Sequence, residues 1–347
     1  MTDPATSGHR RISIVVPCRN ESNHIDGFIS GVLQQEGLAA DVEVLIADGR
    51  STDDTRERIG AWSARDRRLR LIDNPEQTTS HGLNRAIAES SGDVIVRMDV
   101  HTEYAPDYVR QCLATLEATG ADNVGGPART KATTYFQHAN RLAYHSAFAV
   151  GGARFHFEDY EGPVDTVAYG CWPRQIFERV GMFDTQFVRN QDDELNLRIA
   201  RSGGRLWQNP AIRSWYYPRS TARDLFRQYM QYGYWKVGVI RKHHLPASWR
   251  HVVPGAFVAA LSLAVAAAPF SRWAGVTAGL LAGAYAVASL FASLWTCARP
   301  GRWKYLPIMP LVFGCYHFGY AIGFLRGVWD FLVLRRGGGR AFEGLTR

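Results

Sequence analysis

The sequence predicts an α/β domain built on a parallel sheet, continued by a C-terminal α-helical membrane region. Three observations predict it: short β-branched runs that end in polar residues, helix-length patterns between those runs, and a late cluster of long stretches without formal charge. "RISIVVPC", "VEVLIAD" and "DVIVRMD" are near-continuous apolar runs, the mark of strands buried on both faces. "ESNHIDGFISGVLQQEG" follows the first and "STDDTRERIGAWSARD" the second, each long enough for a helix. The latter opens on Ser51 and Thr52 as N-cap candidates, with Asp53 and Asp54 favouring the positive helix end. A βαβ succession implies parallel strands with helices on both faces, and ligands in such sheets sit beyond the carboxyl ends of the strands.

The membrane region rests on composition. Residues 252–270 and 274–296 contain no Asp, Glu, Lys or Arg, and each is long enough to cross a hydrocarbon layer of roughly 30 Å as a helix. Only Ser271, Arg272 and Trp273 separate them, as in a membrane hairpin. Residues 305–325 also lack formal charge but carry Pro307, Pro310 and several glycines. This third stretch reads as a re-entrant segment, as a tight hairpin continuing through "VWDFLVL", or as a third crossing. Arg241, Lys242 and Arg250 before the first span, and Arg299, Arg302 and Lys304 after the second, place both flanks in the cytoplasm. Arg326, Arg335, Arg336, Arg340 and Arg347 give the tail the same preference, which conflicts with a third crossing. The expected division is a cytoplasmic domain over 1–240 and a multi-pass inner or plasma-membrane region over 241–347, two or three helices with a basic tail.

Bulk properties narrow the partners. At 347 residues the chain is too long for one ordinary core. A formal net charge of +8 suits phosphates or acidic lipid surfaces, but the cations form no compact basic-aromatic surface, so nucleic acid is not an expected partner. The five cysteines are scattered, odd in number and without CxxC spacing. They point neither to a disulfide framework nor to a zinc site and fit a reducing cytosol. "MTDPATSGHRR" lacks the apolar core of a signal peptide, so this end is expected to stay in the cytosol.

The strand ends hold the candidate chemistry. The first offers Pro17, Arg19, Asn20 and Glu21, the second Asp48, and the third Asp99 and His101. A parallel sheet brings these together on one edge. No GxGxxG or GxxxxGK[ST] occurs, so neither a dinucleotide fingerprint nor a Walker phosphate loop is present.

"ISIVVPCRNES", "LIADGRSTDDT", "NPEQTTSHGLNRAIAESSGDVIVRMDVHTEYAPDYV" and "NQDDELNLRIARSGG", in that order, resemble the successive signatures of family 2 inverting glycosyltransferases with the GT-A nucleotide-sugar-binding, Rossmann-like fold. The resemblance covers roughly residues 10–240, and details are similar to the succinoglycan-biosynthesis membrane glucosyltransferases. It implies that Pro17, Arg19, Glu21, Asp48, Asn84 and Asp99 bind the donor, with Asp48 accepting a hydrogen bond from a uracil base. It implies a divalent cation on Asp99 and His101, where His101 stands in place of the family's second acid. Magnesium prefers oxygen ligands and manganese accepts imidazole more readily, so the expected cofactor is Mn2+ or Mg2+, with Mn2+ favoured.

An inverting transfer also needs a base for the acceptor hydroxyl. The resemblance puts it in "NQDDELN", on Asp192 with Gln191 in place of the preceding Glu, or on Asp193 after a shift of one. Neighbouring acids raise one another's pKa, which helps a base work near neutrality. The acceptor side takes in Asp165, Gly170, Cys171 and Trp172. Gln231, Tyr234 and Trp235 resemble the membrane-proximal Gln-x-x-Arg-Trp element without its arginine, leaving Arg219 or Lys236 as substitutes. The same stretch suits an amphipathic helix in the membrane interface. The expected reaction moves a hexose from a UDP-sugar to a polyprenyl-linked saccharide. Transfer to polyprenyl phosphate, or a non-catalytic membrane scaffold that keeps the fold, are the alternatives.

Overall fold

A computed structural model of the chain describes residues 11–36, 42–245 and 248–336. The chain divides into two compact units, Met1–Arg129 with Phe157–Tyr216, and Thr130–His156 with Tyr217–Arg347. Arg340 and Arg347 of the basic tail lie outside the described residues.

The first unit opens as β1 (Ile12–Cys18), α1 (Ile25–Leu33), β2 (Val42–Asp48), α2 (Thr55–Ser63), β3 (Leu69–Asp73), α3 (Thr79–Glu89) and β4 (Val94–Arg97). It continues with β5 (Thr102–Tyr104), α4 (Tyr108–Thr119) and β6 (Asn123–Gly125). Among the described residues its main sheet has eight strands, in the order β3, β2, β1, β4, Cys171–Pro173, β6, Leu206–Gln208 and Gly162–Pro163. β1, β2, β3 and β4 are mutually parallel neighbours, which is the half the sequence predicts. Cys171–Pro173 then runs antiparallel between β4 and β6, so the sheet is mixed. That strand returns after a long excursion of the chain and not through a βαβ crossover, so the parallel pattern does not announce it.

Side-chain alternation along β1 builds a core on each face of the sheet. Ile12, Ile14 and Val16 pack with Ile25, Phe28 and Ile29 of α1 and with Tyr108, Val109 and Cys112 of α4. Val15 lies on the other side with Leu45, Ile95, Trp172 and Leu83, Ala86 and Ile87 of α3. The register sets Cys18 opposite Asp48, and Asp48 opposite Asp73. The polar residues that follow these strands are thereby delivered to one edge.

In the second unit, Tyr135–Tyr144 is a helix whose start is closed by reciprocal bonds between Thr134 and Gln137. Three helices of the described residues are long and apolar enough to cross a membrane: Trp249–Ala267, Arg272–Cys297 and Trp303–Val333. The first two leave Leu263, Val265, Leu280, Val287 and Phe291 exposed, as helices bathed in hydrocarbon do. The third is one helical run from Met309 that widens to a π-type turn at Val328–Val333. The tight hairpin through "VWDFLVL" is therefore not formed.

This third helix packs backbone to backbone on the helix Ala222–His243. Gly319, Gly323 and Gly327 recur at every fourth position, the small-residue spacing that lets membrane helices approach closely. A Cβ on Gly319 would stand 2.8 Å from the carbonyl oxygen of Phe226, and one on Gly323 only 1.8 Å from that of Met230. From the opposite side, Gly233 would meet the Tyr320 carbonyl at 2.0 Å. The seam corrects the reading of Gln231, Tyr234 and Trp235 as an interfacial surface, because all three are buried. Tyr234 donates to Asp330 at 3.1 Å, and the Tyr234 and Trp235 rings pack against Phe331.

Candidate active site

The ends of β1 and β2 are stitched by their own polar residues. Asn20 takes the left-handed conformation that asparagine tolerates, at φ 53°. Its amide donates to Ser51 Oγ and its side-chain oxygen accepts from the Thr52 amide, both at 2.8 Å. The Glu21 amide donates to Thr55 Oγ1 at 2.8 Å, and Asp53 accepts from the Thr55 hydroxyl at 2.5 Å. Ser51 and Thr52 are thus engaged in joining the two strand ends and do not cap α2, which begins at Thr55. The matching polar runs "RNES" and "DGRSTDDT" are complementary halves of one turn assembly.

Asp48 lies beneath this assembly and is fully buried. Ser51 Oγ donates to it at 2.5 Å, the Ser51 amide at 3.2 Å and the Arg56 guanidinium at 3.1 Å. Its hydrogen bond to Asp48 is the main reason the Arg56 pKa lies above the ordinary value. The Asp48 carboxylate is thus held by Ser51 and Arg56 and ties the ends of the strand edge together. Arg19 packs its stem against Gly49 and keeps a buried Nε without a hydrogen-bond partner among the described residues. Such an orphaned donor favours an anion at the site.

The end of β4 centres on a residue to which the sequence assigns no role. Arg97 is buried and donates from Nε and Nη2 to the two oxygens of Asp99, at 2.9 and 3.0 Å. Its Nη1 lies 3.4 Å from Oδ1 of Asp192, at the start of the helix Gln191–Arg201. Burial alone would lower the Arg97 pKa, but the Asp99 and Asp192 carboxylates raise it, so the guanidinium stays charged. Tyr104 accepts from the Asp99 amide at 2.7 Å, and Tyr169 bonds Thr102 at 2.6 Å. Burial raises both phenol pKa values, with charge on the neighbouring Tyr169 or Asp99 adding to it, so both hydroxyls stay protonated. His101 is 61% exposed, with Nδ1 3.6 Å from Oε1 of Glu21. Arg97, Asp99 and Asp192 thus form one linked set, and His101 and Glu21 face each other as a second pair.

The acceptor-side candidates separate. Asp165 is exposed, whereas Cys171 and Trp172 are buried, Trp172 packing edge-on against Phe177 and Phe183. Their side chains line the core and not a groove, a correction that follows from Cys171–Pro173 being a central strand. Gly170 sits at φ 107°, where a Cβ would meet the Trp172 ring at 2.3 Å, and its carbonyl accepts from the Arg97 amide. Asn84 is likewise corrected from donor contact to clamp, since both its amide atoms bond the main chain of Phe183, at 2.8 and 3.0 Å. Asp193 lies on the same helix as Asp192, one position on, and is partly buried.

No group of three or more His, Cys, Asp or Glu among the described residues is placed to hold a metal ion. Asp99 and His101 supply a carboxylate and an imidazole, donor types that a manganese-like divalent cation accepts, with substrate phosphates and water able to complete its coordination. The Arg97 fork uses one acceptor position on each Asp99 oxygen, and an ionised carboxylate has about four. The donor chemistry fits the ion.

The family model for glycosyl transferase family 2 matches residues 13–181, the stretch that contains the stitched turn, Arg97, Asp99 and His101. The succinoglycan biosynthesis protein ExoA of Rhizobium meliloti is 32% identical over 332 residues, covering 92% of this chain and 95% of the relative. A dolichyl N-acetyl-α-D-glucosaminyl phosphate 3-β-D-2,3-diacetamido-2,3-dideoxy-β-D-glucuronosyltransferase of Methanococcus voltae is 26% identical, covering 91% of this chain and 98% of that one. Among solved structures, the mannosyltransferase PcManGT of Pyrobaculum calidifontis in complex with GDP-Man and Mn2+ matches with a TM-score of 0.59 at 21% identity, over 92% of this chain and 88% of that one. That likeness shows the shared GT-A fold. With a relative of this identity along almost its whole length, the chain belongs to the family 2 glycosyltransferases.

Proposed function

We propose that the chain is a metal-dependent inverting hexosyltransferase that moves a sugar from a UDP-sugar to a polyprenyl-linked saccharide. The observation that carries the reading is the Arg97 bridge. It sets a carboxylate suited to diphosphate-bound metal, Asp99, beside a second carboxylate suited to general-base work, Asp192. The sequence resemblance favours Asp192 over Asp193 for that role, and Asp192 is the acid that lies beside the bridge. The acceptor hydroxyl attacks the anomeric carbon from the face opposite the nucleotide, Asp192 takes its proton, and the bond to the diphosphate breaks. A bound Mn2+ or Mg2+ supplies the charge that neutralises the departing diphosphate. Asp99 and His101 hold that ion, and Arg19 with the turn around Pro17, Glu21 and Asp48 seats the nucleotide.

A lipid-linked acceptor is supported by the Methanococcus relative, whose name specifies a dolichyl-linked sugar phosphate, and by the three apolar helices. Confinement beside a membrane raises the effective concentration of such an acceptor. The basic flanks support a multi-pass chain with its catalytic unit in the cytoplasm. The test uses the full chain in lipid nanodiscs with radiolabelled UDP-glucose and membrane-extracted polyprenyl saccharides. Label should move to lipid in Mn2+ and stop in EDTA, with the product anomer inverted. Undiminished transfer in chelator would overturn the metal-dependent reading.

A further inference from the structure

We infer that Arg97 is a positioning residue that holds the Asp99 carboxylate in one plane and fixes its separation from Asp192. The inference rests on the proposed reading, in which Asp99 grips the cation and Asp192 serves as base. Three features carry it. The fork is bidentate, so it fixes orientation as well as distance. The guanidinium is buried, so its pair with Asp99 is screened less than a surface pair would be. Its remaining nitrogen lies 3.4 Å from Oδ1 of Asp192, 95 positions later in the chain and on a different element, an ion-pair approach in which neither atom has a hydrogen-bond partner among the described residues.

The surroundings restrain Arg97 in turn. Its amide donates to the Gly170 carbonyl at 3.1 Å. Gly170 holds a φ that side-chain-bearing residues rarely adopt. On the Asp99 side, the Tyr104 hydroxyl pins the Asp99 amide. The carboxylate is therefore oriented before any ligand arrives, and its outward acceptor positions are left for a cation. Lysine would keep the charge but, as a point charge without a fork, would release the plane.

The experiment compares the full-length protein with Arg97→Lys and Arg97→Met. Mn2+ affinity with UDP present is followed by electron paramagnetic resonance, and turnover is measured at saturating Mn2+. Loss of an outer-shell partner typically costs 10- to 100-fold in metal affinity, and that loss is expected for Arg97→Lys with an unchanged thermal midpoint. The fall in kcat at saturating Mn2+ should be smaller in an Asp192→Asn background, because part of the arginine's effect runs through Asp192. Arg97→Lys that binds Mn2+–UDP as tightly as wild type overturns the inference, and so do fully additive kcat losses. If Arg97→Met fails to fold, the lysine variant alone decides. Wild-type protein that binds no Mn2+–UDP overturns the functional reading and the inference together, whereas tight wild-type binding with an indifferent lysine variant overturns the inference alone.

Discussion

Asp192→Asn is expected to lower transfer by about 10^3-fold, within the 10^2 to 10^4 range that general-base removal costs, while Asp193→Asn stays within about tenfold of wild type. The difference between adjacent acids follows from geometry, because Arg97 reaches Asp192. Asparagine keeps the size and most hydrogen bonding of the side chain, so the loss should fall on kcat with donor KM little changed. Initial rates over a range of acceptor concentrations check this. Equal activity of the two variants would remove Asp192 from the base role, and the reverse order would move it to Asp193.

Gly323→Ala carries the largest expected effect on stability. Its Cβ would lie 1.8 Å from the Met230 carbonyl oxygen, a backbone atom that cannot rotate aside. Relief requires the two helices to separate along the seam, at a cost of about 3 kcal/mol, the upper end of ordinary overpacking. Gly279→Ala is the control, because nothing lies within 4 Å of its Cβ position; alanine there should hold or slightly raise the thermal midpoint. Midpoints of the two purified variants in the same detergent decide. A Gly323→Ala protein as stable as wild type would mean that the helices do not pack as closely as described.

Local pattern revealed the parallel half of the sheet, because β1, β2 and β4 are buried on both faces and read as unbroken apolar runs. β3 was not read, since Arg70 and Asp73 interrupt it at the sheet edge. Cys171–Pro173 was too short, and its partners too distant in sequence, for periodicity to reveal. The third helix was legible by composition, but its prolines obscured its continuity; Pro310 falls in the first turn, where proline is tolerated.

At the site, the residue types at the strand ends were legible, but their partnerships were not. Asp48 reads from sequence as a pocket acid that accepts from a base, and the structure shows its carboxylate held by Ser51 and Arg56, partners that the sequence did not reveal. Asn84 reads as a pocket amide and is engaged by Phe183. Arg97 carried a usable signal: residues two apart on an extended chain share a face, so a cation two positions before Asp99 stands beside it. What sequence could not supply was Asp192, which tertiary folding brings to the same guanidinium.

The glycine seam also governs how this protein can be handled. Removing the three apolar helices to obtain a water-soluble fragment would strip the cover from Phe226, Met230, Gly233 and Tyr234, and bare a continuous ridge of main-chain atoms to water. A fragment ending near residue 245 should aggregate unless that ridge is re-covered. Keeping Met309–Gly327 tethered by a short linker is the sounder route to a tractable enzyme, because Ala139 and Ala143 pack on that helix as well.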